Sequence, residues 1–233
     1  MWLQAPNIKC KHAFSTRTGG ISEGVFESLN LGGSDDLPEN ILANRKLFLK
    51  NIGLDFSKLC YLKQIHSNIV CEAVIGQVEG DALVTNKPGL VLAVSIADCY
   101  PILFCDFKNK VIGAAHAGWR GTVSKIAENT LNKMIELGAE KNHIQVAIGQ
   151  GICKNNFEVG NEVIAQFKNA GFPSNLLENK HIDLAACNEY VLVKNGIKEN
   201  QIWKINRCTF EKDFFSYRRD KGNTGRMWAV ISI

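Results

Sequence analysis

The sequence predicts an α+β fold, and three observations carry that prediction. Strand-like and helix-like segments follow one another without strict alternation. An uncharged apolar run at 90–97, rich in branched residues, has the pattern of a strand buried on both faces. Two apolar stretches at 102–105 and 111–115 flank the polar segment Asp106-Phe107-Lys108-Asn109, which reads as a hairpin.

Each element has its own justification, taken in chain order. Thr18-Gly19-Gly20 and Asn30-Leu31-Gly32-Gly33 are glycine-bearing loops, where the backbone can take dihedrals that side chains disfavour. A helix is expected over 38–51, with Asp36 near its start, Pro38 in its first turn and Gly53 just past its end. Residues 61–74 alternate as one strand. After the buried run and the hairpin, Thr122 caps a helix running to about residue 137, and Gly138 stops it. A strand follows at 144–148, a helix at 162–169, a helix at 185–194 ended by Gly196, and a last strand at 228–233. No repeat, low-complexity tract or Pro/Gly/Ser-rich linker divides the chain, so residues 1–233 are expected to form one domain.

Composition bounds the function. Of 233 residues, 45% are hydrophobic and 21% charged, enough for a sizeable core and against the disordered and collagen-like classes. Lysines and arginines (27) slightly outnumber acids (23), and the resulting charge of +4 tilts toward anionic small molecules but is too weak for a nucleic-acid binder. The opening Met1-Trp2-Leu3-Gln4-Ala5-Pro6-Asn7 lacks the pattern of a secretory signal, and the longest apolar run is too short for a bilayer. The eight cysteines contain no Cys-x-x-Cys pair. The expectation is a cytoplasmic enzyme or ligand-binding domain with reduced thiols and no membrane or nucleic-acid partner, its oligomeric state left open.

The hairpin brings chemistry together. Placing Cys105 opposite Lys110 across a four-residue turn sets Cys99 opposite His116, and such pairs have Cβ atoms about 4.5–5.5 Å apart. A thiolate and an imidazole at that spacing can share one Zn²⁺. His116 precedes Ala117-Gly118-Trp119-Arg120-Gly121, whose glycines let the backbone turn into a helix start, and Arg120 there would favour an anion. Taken singly, Cys99 reads as a small buried hydrophobe and His116 as a hydrogen-bonded structural residue. As an opposed pair beside an arginine-bearing turn, they point to a site.

Longer motifs carry a resemblance. Ser15-Thr16-Arg17-Thr18-Gly19-Gly20, Ser28-Leu29-Asn30-Leu31, Gln64-Ile65-His66-Ser67, Gly80-Asp81-Ala82-Leu83-Val84-Thr85, Ala97-Asp98-Cys99-Tyr100-Pro101, His116-Ala117-Gly118-Trp119-Arg120-Gly121, Phe157-Glu158-Val159-Gly160, Cys208-Thr209, Phe214-Phe215-Ser216-Tyr217-Arg218-Arg219-Asp220 and Thr224-Gly225-Arg226 occur in that order. Together they resemble the family misnamed multicopper polyphenol oxidase, also described as laccase-domain purine nucleoside phosphorylases or peptidoglycan editing factors. The resemblance implies a single-domain mixed β-sandwich with flanking helices, similar to cysteine hydrolases. It also implies a zinc site formed by His66, Cys99 and His116, phosphorolysis of adenosine, inosine, guanosine and methylthioadenosine, and an adenosine deaminase activity. Gln150-Gly151-Ile152-Cys153-Lys154-Asn155-Asn156 departs from the family, which usually has Gly-Pro at both 149–150 and 153–154. Loss of two prolines predicts a less rigid loop.

The copper label fails by counting. A trinuclear cluster with a blue-copper centre would need on the order of ten imidazoles, and the chain has five histidines. Two histidines and a cysteine with no fourth ligand suit catalytic zinc, which keeps one position open. His12, His143 and His181 lack motif context and read as surface or structural residues. Asp98, beside Cys99, is a candidate acid/base for attack on a purine, or a strand-end cap. Arg17, Arg120, Arg218 and Arg226 are candidate phosphate ligands, Arg219 and Lys221 read as a solvated basic loop, and Gln64 and Asn30 either read base or ribose edges or satisfy their own backbone. Two other functions use the same residues. One is a cysteine-type hydrolase of peptidoglycan precursors with a Cys99–His116 dyad. The other is a non-enzymatic binding module with structural zinc.

Overall fold

In the strand β7 (Val91–Ile96), Leu92 and Val94 face one apolar layer while Val91 and Ala93 face another, so the run predicted to be buried on both sides is a central strand between two cores. The computed structural model describes residues 2–33 and 35–233. Its other elements are β1 (Trp2–Leu3), β2 (Lys11–Ser15), α1 (Pro38–Asn51), β3 (Leu59–Lys63), β4 (Val70–Glu72), β5 (Gly76–Glu79), β6 (Ala82–Thr85), β8 (Tyr100–Asp106), β9 (Val111–Ala117), α2 (Trp119–Val123), α3 (Ile126–Glu136), β10 (Gln145–Ile148), α4 (Asn161–Asn169), α5 (Leu184–Lys194), β11 (Ile202–Lys204) and β12 (Met227–Ser232).

The strands form two mixed sheets, ordered β1-β2-β12-β7-β3-β5 and β11-β10-β8-β9-β6-β4. Phe14, Leu92 and Ile231 of the first sheet meet Leu103, Ile112 and Ala114 of the second in the inter-sheet core. Phe48 and Leu49 of α1 cover the outer face of the first sheet against Val91, Ala93 and Trp228. Helices α3 and α5 cover the second, with Leu131, Met134, Val191 and Leu192 against Ile102, Phe104 and Val111. The expected α+β sandwich with flanking helices is therefore present. Close approach of α3 to β9 requires Gly113, where a Cβ would lie 3.0 Å from Met134 Sδ and 3.2 Å from Thr130 Cγ2. Among the described residues no helix is long and apolar enough to cross a membrane.

Helix α1 spans the expected residues, with Pro38 in its first turn. Four expectations are corrected. Residues 61–74 are not one strand: β3 lies in the first sheet and β4 in the second, and the loop between them contains His66 at φ +59°. The helix expected from Thr122 is two helices broken at Lys125, which has φ +65°. Thr122 lies inside α2 and its Oγ1 accepts from Asn188 Nδ2 at 3.0 Å, so it does not cap.

The hairpin register is displaced by two residues. Cys105 pairs with Ile112, not Lys110, and His116 stands opposite Pro101, not Cys99. The turn occupies 107–110 because the Asp106 carboxylate accepts from Asn109 N at 3.0 Å and Lys110 takes φ +57°. Finally, not every thiol is reduced: Cys10 and Cys105, both buried and 95 residues apart, form a disulfide. Such a pairing depends on which strands meet across the core, so local cysteine spacing does not reveal it.

The inter-sheet core sets the stability of this arrangement. Leu103→Ala is expected to lower the free energy of unfolding by about 2–5 kcal/mol, measured by denaturant titration against the unaltered protein.

Candidate metal centre

A displacement of two residues along a strand preserves which face a side chain takes, so Cys99 and His116 still meet although they are not directly opposed. Their ligand atoms and one from His66 all lie within 4.8 Å of one another. The three come from different elements. Cys99 follows the end of β7 and precedes β8, past Asp98 at φ +87°. His116 is the penultimate residue of β9, and His66 occupies the loop after β3. The imidazoles of His66 and His116 meet edge to face with centroids 5.0 Å apart. A Cβ at Gly118 would lie 2.9 Å from Cys99 Sγ and 3.3 Å from His66 Cδ2, so the absence of a side chain there leaves room for Cys99 and His66.

The Asp81 carboxylate organises the group and is completely buried. Its Oδ1 accepts from His66 N at 3.1 Å and lies 2.8 Å from His116 Nδ1. Its Oδ2 accepts from Ser67 N at 2.6 Å and from Ser67 Oγ at 2.7 Å. Burial works against this charge, but the bonds from His116 and Ser67 outweigh it and hold the carboxyl down at about 2. An ionised Asp81 only accepts, so His116 carries its proton on Nδ1 and presents Nε2 to the shared space, the usual arrangement behind a metal-bound histidine.

Charge follows from the same contacts. Burial disfavours the Cys99 thiolate, yet His116, and after it His66, hold the thiol down at about 6. Burial likewise disfavours the His116 cation, yet Cys99 and Asp81 raise it to about 9. Without a metal the pair stands as thiolate and imidazolium between those values. Two imidazoles and an easily ionised thiolate, with one imidazole fixed by a carboxylate, fit a borderline-soft divalent ion.

The three donors open into a cavity of about 620 Å³. Arg45, Arg218 and Arg226 line it, and among the described residues none of them forms an ion pair. Arg45 Nε donates to Leu31 O at 2.7 Å, and its guanidinium stacks 4.8 Å from the Trp228 ring centroid. Arg226 Nη1 donates to Thr224 O at 2.9 Å, and Arg218 Nη1 to Glu158 O at 2.9 Å. Burial lowers the pKa of Arg45 and of Arg226, so a nearby anion would relieve both. The glycines of the 30–33 loop explain the close approach: Gly32 has φ +140° and Gly33 φ +65°, and a Cβ would collide with Arg45 at the first and press on Arg226 at the second.

Other predicted site residues take different places. Arg17 and Arg120 do not line the cavity. Arg17 Nε donates to Glu27 O at 2.8 Å and its guanidinium lies over Phe215, while the exposed Arg120 lies over Trp119 in α2, too short a helix to offer an anion site. Asn30 is fully buried, accepting from Arg226 N at 2.8 Å and donating to Asp36 at 2.9 Å. Gln64 borders the cavity, but its amide pairs with the Ser95 backbone at 2.8 and 2.7 Å, extending β3 alongside β7. Asp98 lines the cavity and accepts from Thr209 Oγ1 and Arg218 N, both at 2.6 Å.

The loop lacking two prolines is pinned otherwise: Tyr100 Oη donates to Ile152 O at 3.0 Å and Ile152 N to Asp98 O at 2.8 Å. His12 is structural, its Nε2 accepting from Ala5 N at 2.8 Å. Arg45 escaped the sequence reading because a lone arginine on a helix carries no local signal. Asp81 stood inside a quoted motif, and its role appears only when 65–67 and 116 converge on it.

Residues 11–233 match the family model described as Multi-copper polyphenol oxidoreductase laccase. A purine nucleoside phosphorylase of Deinococcus radiodurans is 45% identical, the match covering 99% of this chain and 92% of the relative. A protein named Adenosine deaminase RL5, from an unknown prokaryotic organism, is 36% identical over 97% of this chain and 95% of its own. The crystal structure of YlmD from Geobacillus stearothermophilus superposes with a TM-score of 0.93 at 30% identity, covering 99% of this chain and 95% of that one.

Two outcomes follow from the electrostatics. In metal-free protein the alkylation rate of Cys99, followed by peptide mapping, is expected to fall as pH drops through about 6, because the thiolate is lost there. Asp81→Asn removes the ionised acceptor behind His116, and competition titration with a chromogenic chelator should show metal affinity reduced about 10–100-fold.

Proposed function

From the premise that this chain belongs to the multi-copper polyphenol oxidoreductase laccase family, we propose that it is a zinc-dependent purine nucleoside phosphorylase. It takes adenosine, inosine, guanosine or methylthioadenosine with phosphate, and releases the free base and the ribose 1-phosphate, with adenosine deaminase as a side activity. We take residues 1–233 as one domain. The relatives named purine nucleoside phosphorylase and adenosine deaminase support this reading. The observation that carries it is the convergence of His66, Cys99 and His116 in one cavity with three arginines whose guanidinium groups, among the described residues, form no ion pair.

The residues divide the work by their chemistry. His66, Cys99 and His116 would hold zinc, which when bound acts as a Lewis acid toward the substrate or a water molecule. Arg45, Arg218 and Arg226 supply the fixed positive charge that holds phosphate against C1′ while the glycosidic bond loosens. Tyr61, Phe157, Tyr217 and Trp228 line the same cavity and offer faces on which a purine can stack. Among the described residues Asp98 is the only carboxylate lining it, so proton transfer to a purine during deamination is assigned to Asp98. Its bonds to Thr209 and Arg218 fix the carboxylate's direction.

A second reading has one observation in its favour. A Cys99 thiol held down at about 6 beside an imidazolium is also the activated nucleophile of a cysteine-type hydrolase, which on this family's pattern would act on peptidoglycan precursors. Chelation separates the two, since the dyad works without metal.

The decisive assay incubates zinc-loaded protein with adenosine, with and without phosphate, and resolves the products by chromatography. Adenine that forms only with phosphate, lost on chelation and reduced at least about 10²-fold in Cys99→Ala, is the expected result. Absence of phosphate-dependent adenine overturns the phosphorylase reading, and phosphorolysis that persists after complete chelation overturns its dependence on zinc.

A further inference from the structure

Away from the metal centre, two further cysteines, Cys153 and Cys208, lie side by side. Cys153 precedes the single turn at 154–156, Cys208 precedes Thr209, and both are half-buried. Backbone contacts join the two segments: Gly151 and Cys208 form a parallel bridge, and Thr209 N donates to Gly151 O at 3.0 Å. Cys153 N donates to Cys208 Sγ at 3.1 Å. The Asn156 amide nitrogen lies 3.2 Å from Cys153 Sγ and 3.4 Å from Cys208 Sγ, so one side chain touches both sulfurs.

The two thiols are not equivalent. Burial opposes ionisation of Cys208, but hydrogen bonds from the Cys153 thiol, from backbone and from Asn156 outweigh it and hold that thiol below its ordinary value. Burial and the neighbouring Cys208 push Cys153 up. A better-ionised thiol beside a less ionised partner is the arrangement of an attacking and a resolving cysteine. A cavity of about 210 Å³ reaches Cys153, with Asp183 on its wall beside Lys154, Lys204 and Arg207, each of these cations paired with a glutamate.

We propose that Cys153 and Cys208 form a reactive dithiol, separate from the metal centre, that low-molecular-weight disulfides convert to an intramolecular disulfide. The Cys208 thiolate attacks one sulfur of the reagent, and the first small thiol leaves as the mixed disulfide forms. Cys153 loses its proton and attacks the Cys208 sulfur, and the second small thiol leaves. Two electrons pass from the protein to the reagent, which departs as two thiols. The new bond joins the segment bearing Ile152 and Phe157, which line the large cavity, to the segment whose Thr209 holds Asp98.

The test treats the intact, zinc-loaded protein with glutathione disulfide, alkylates the remaining thiols, and maps peptides by mass spectrometry. The expected result is a cross-linked Cys153–Cys208 peptide that dithiothreitol reverses, and in Cys153→Ser a glutathione adduct that persists on Cys208. The proposal is overturned if both thiols alkylate fully, if Cys208 links to another cysteine, or if the unaltered protein keeps glutathione on Cys208 as the variant does. The map of the unaltered protein decides the matter even if the variant does not fold.

Discussion

The site depends on one buried carboxylate. Asp81 receives the backbone of the 65–67 loop on one side and the His116 ring on the other, so a single charge fixes two of three converging donors. It also explains the unusual backbone at His66, because a left-handed residue there directs successive N–H groups toward the same acceptor. An uncompensated charge at that depth would be costly, and its bonds are what make it tolerable. The thiolate–imidazolium character of Cys99 and His116 comes first from their own pairing, and Asp81 adds to it by stabilising the imidazolium from behind.

Much of the fold was legible because its signals are local. The 90–97 run announced a strand with two apolar faces, and Pro38 with Gly53 bracketed α1. The failures share a cause. The break at Lys125, the split at His66 and the turn closed by Lys110 each place a non-glycine residue at positive φ; Lys125 reaches Ala170 and His66 reaches Asp81, both from elsewhere in the molecule, while Lys110 follows the local Asp106–Asn109 bond. No propensity scale sees such contacts.

The meeting of the three candidate donors was legible, and their surroundings less so. Cys99 and His116 could be paired from strand alternation because an error of two residues leaves the face unchanged, whereas an error of one would have sent them apart. The arginines divide by the same logic. Arg218 and Arg226 lie in loops whose composition marked them, and the cavity receives both. Arg17 and Arg120 lie in segments that look alike in sequence, yet each guanidinium settles over an aromatic ring outside the cavity. Which way a loop faces is decided by packing, as the Gly32–Gly33 approach to Arg45 and Arg226 illustrates.

The positions of the three donors have a mechanical meaning. His66 lies where the chain leaves the first sheet for the second, Cys99 lies at another such crossing, and His116 ends a strand of the second sheet. An ion gripped by all three would rivet the two layers at their seam. Any sliding of one layer over the other would then change the bite at the ion, and chemistry done there would be tied to the alignment of the entire sandwich.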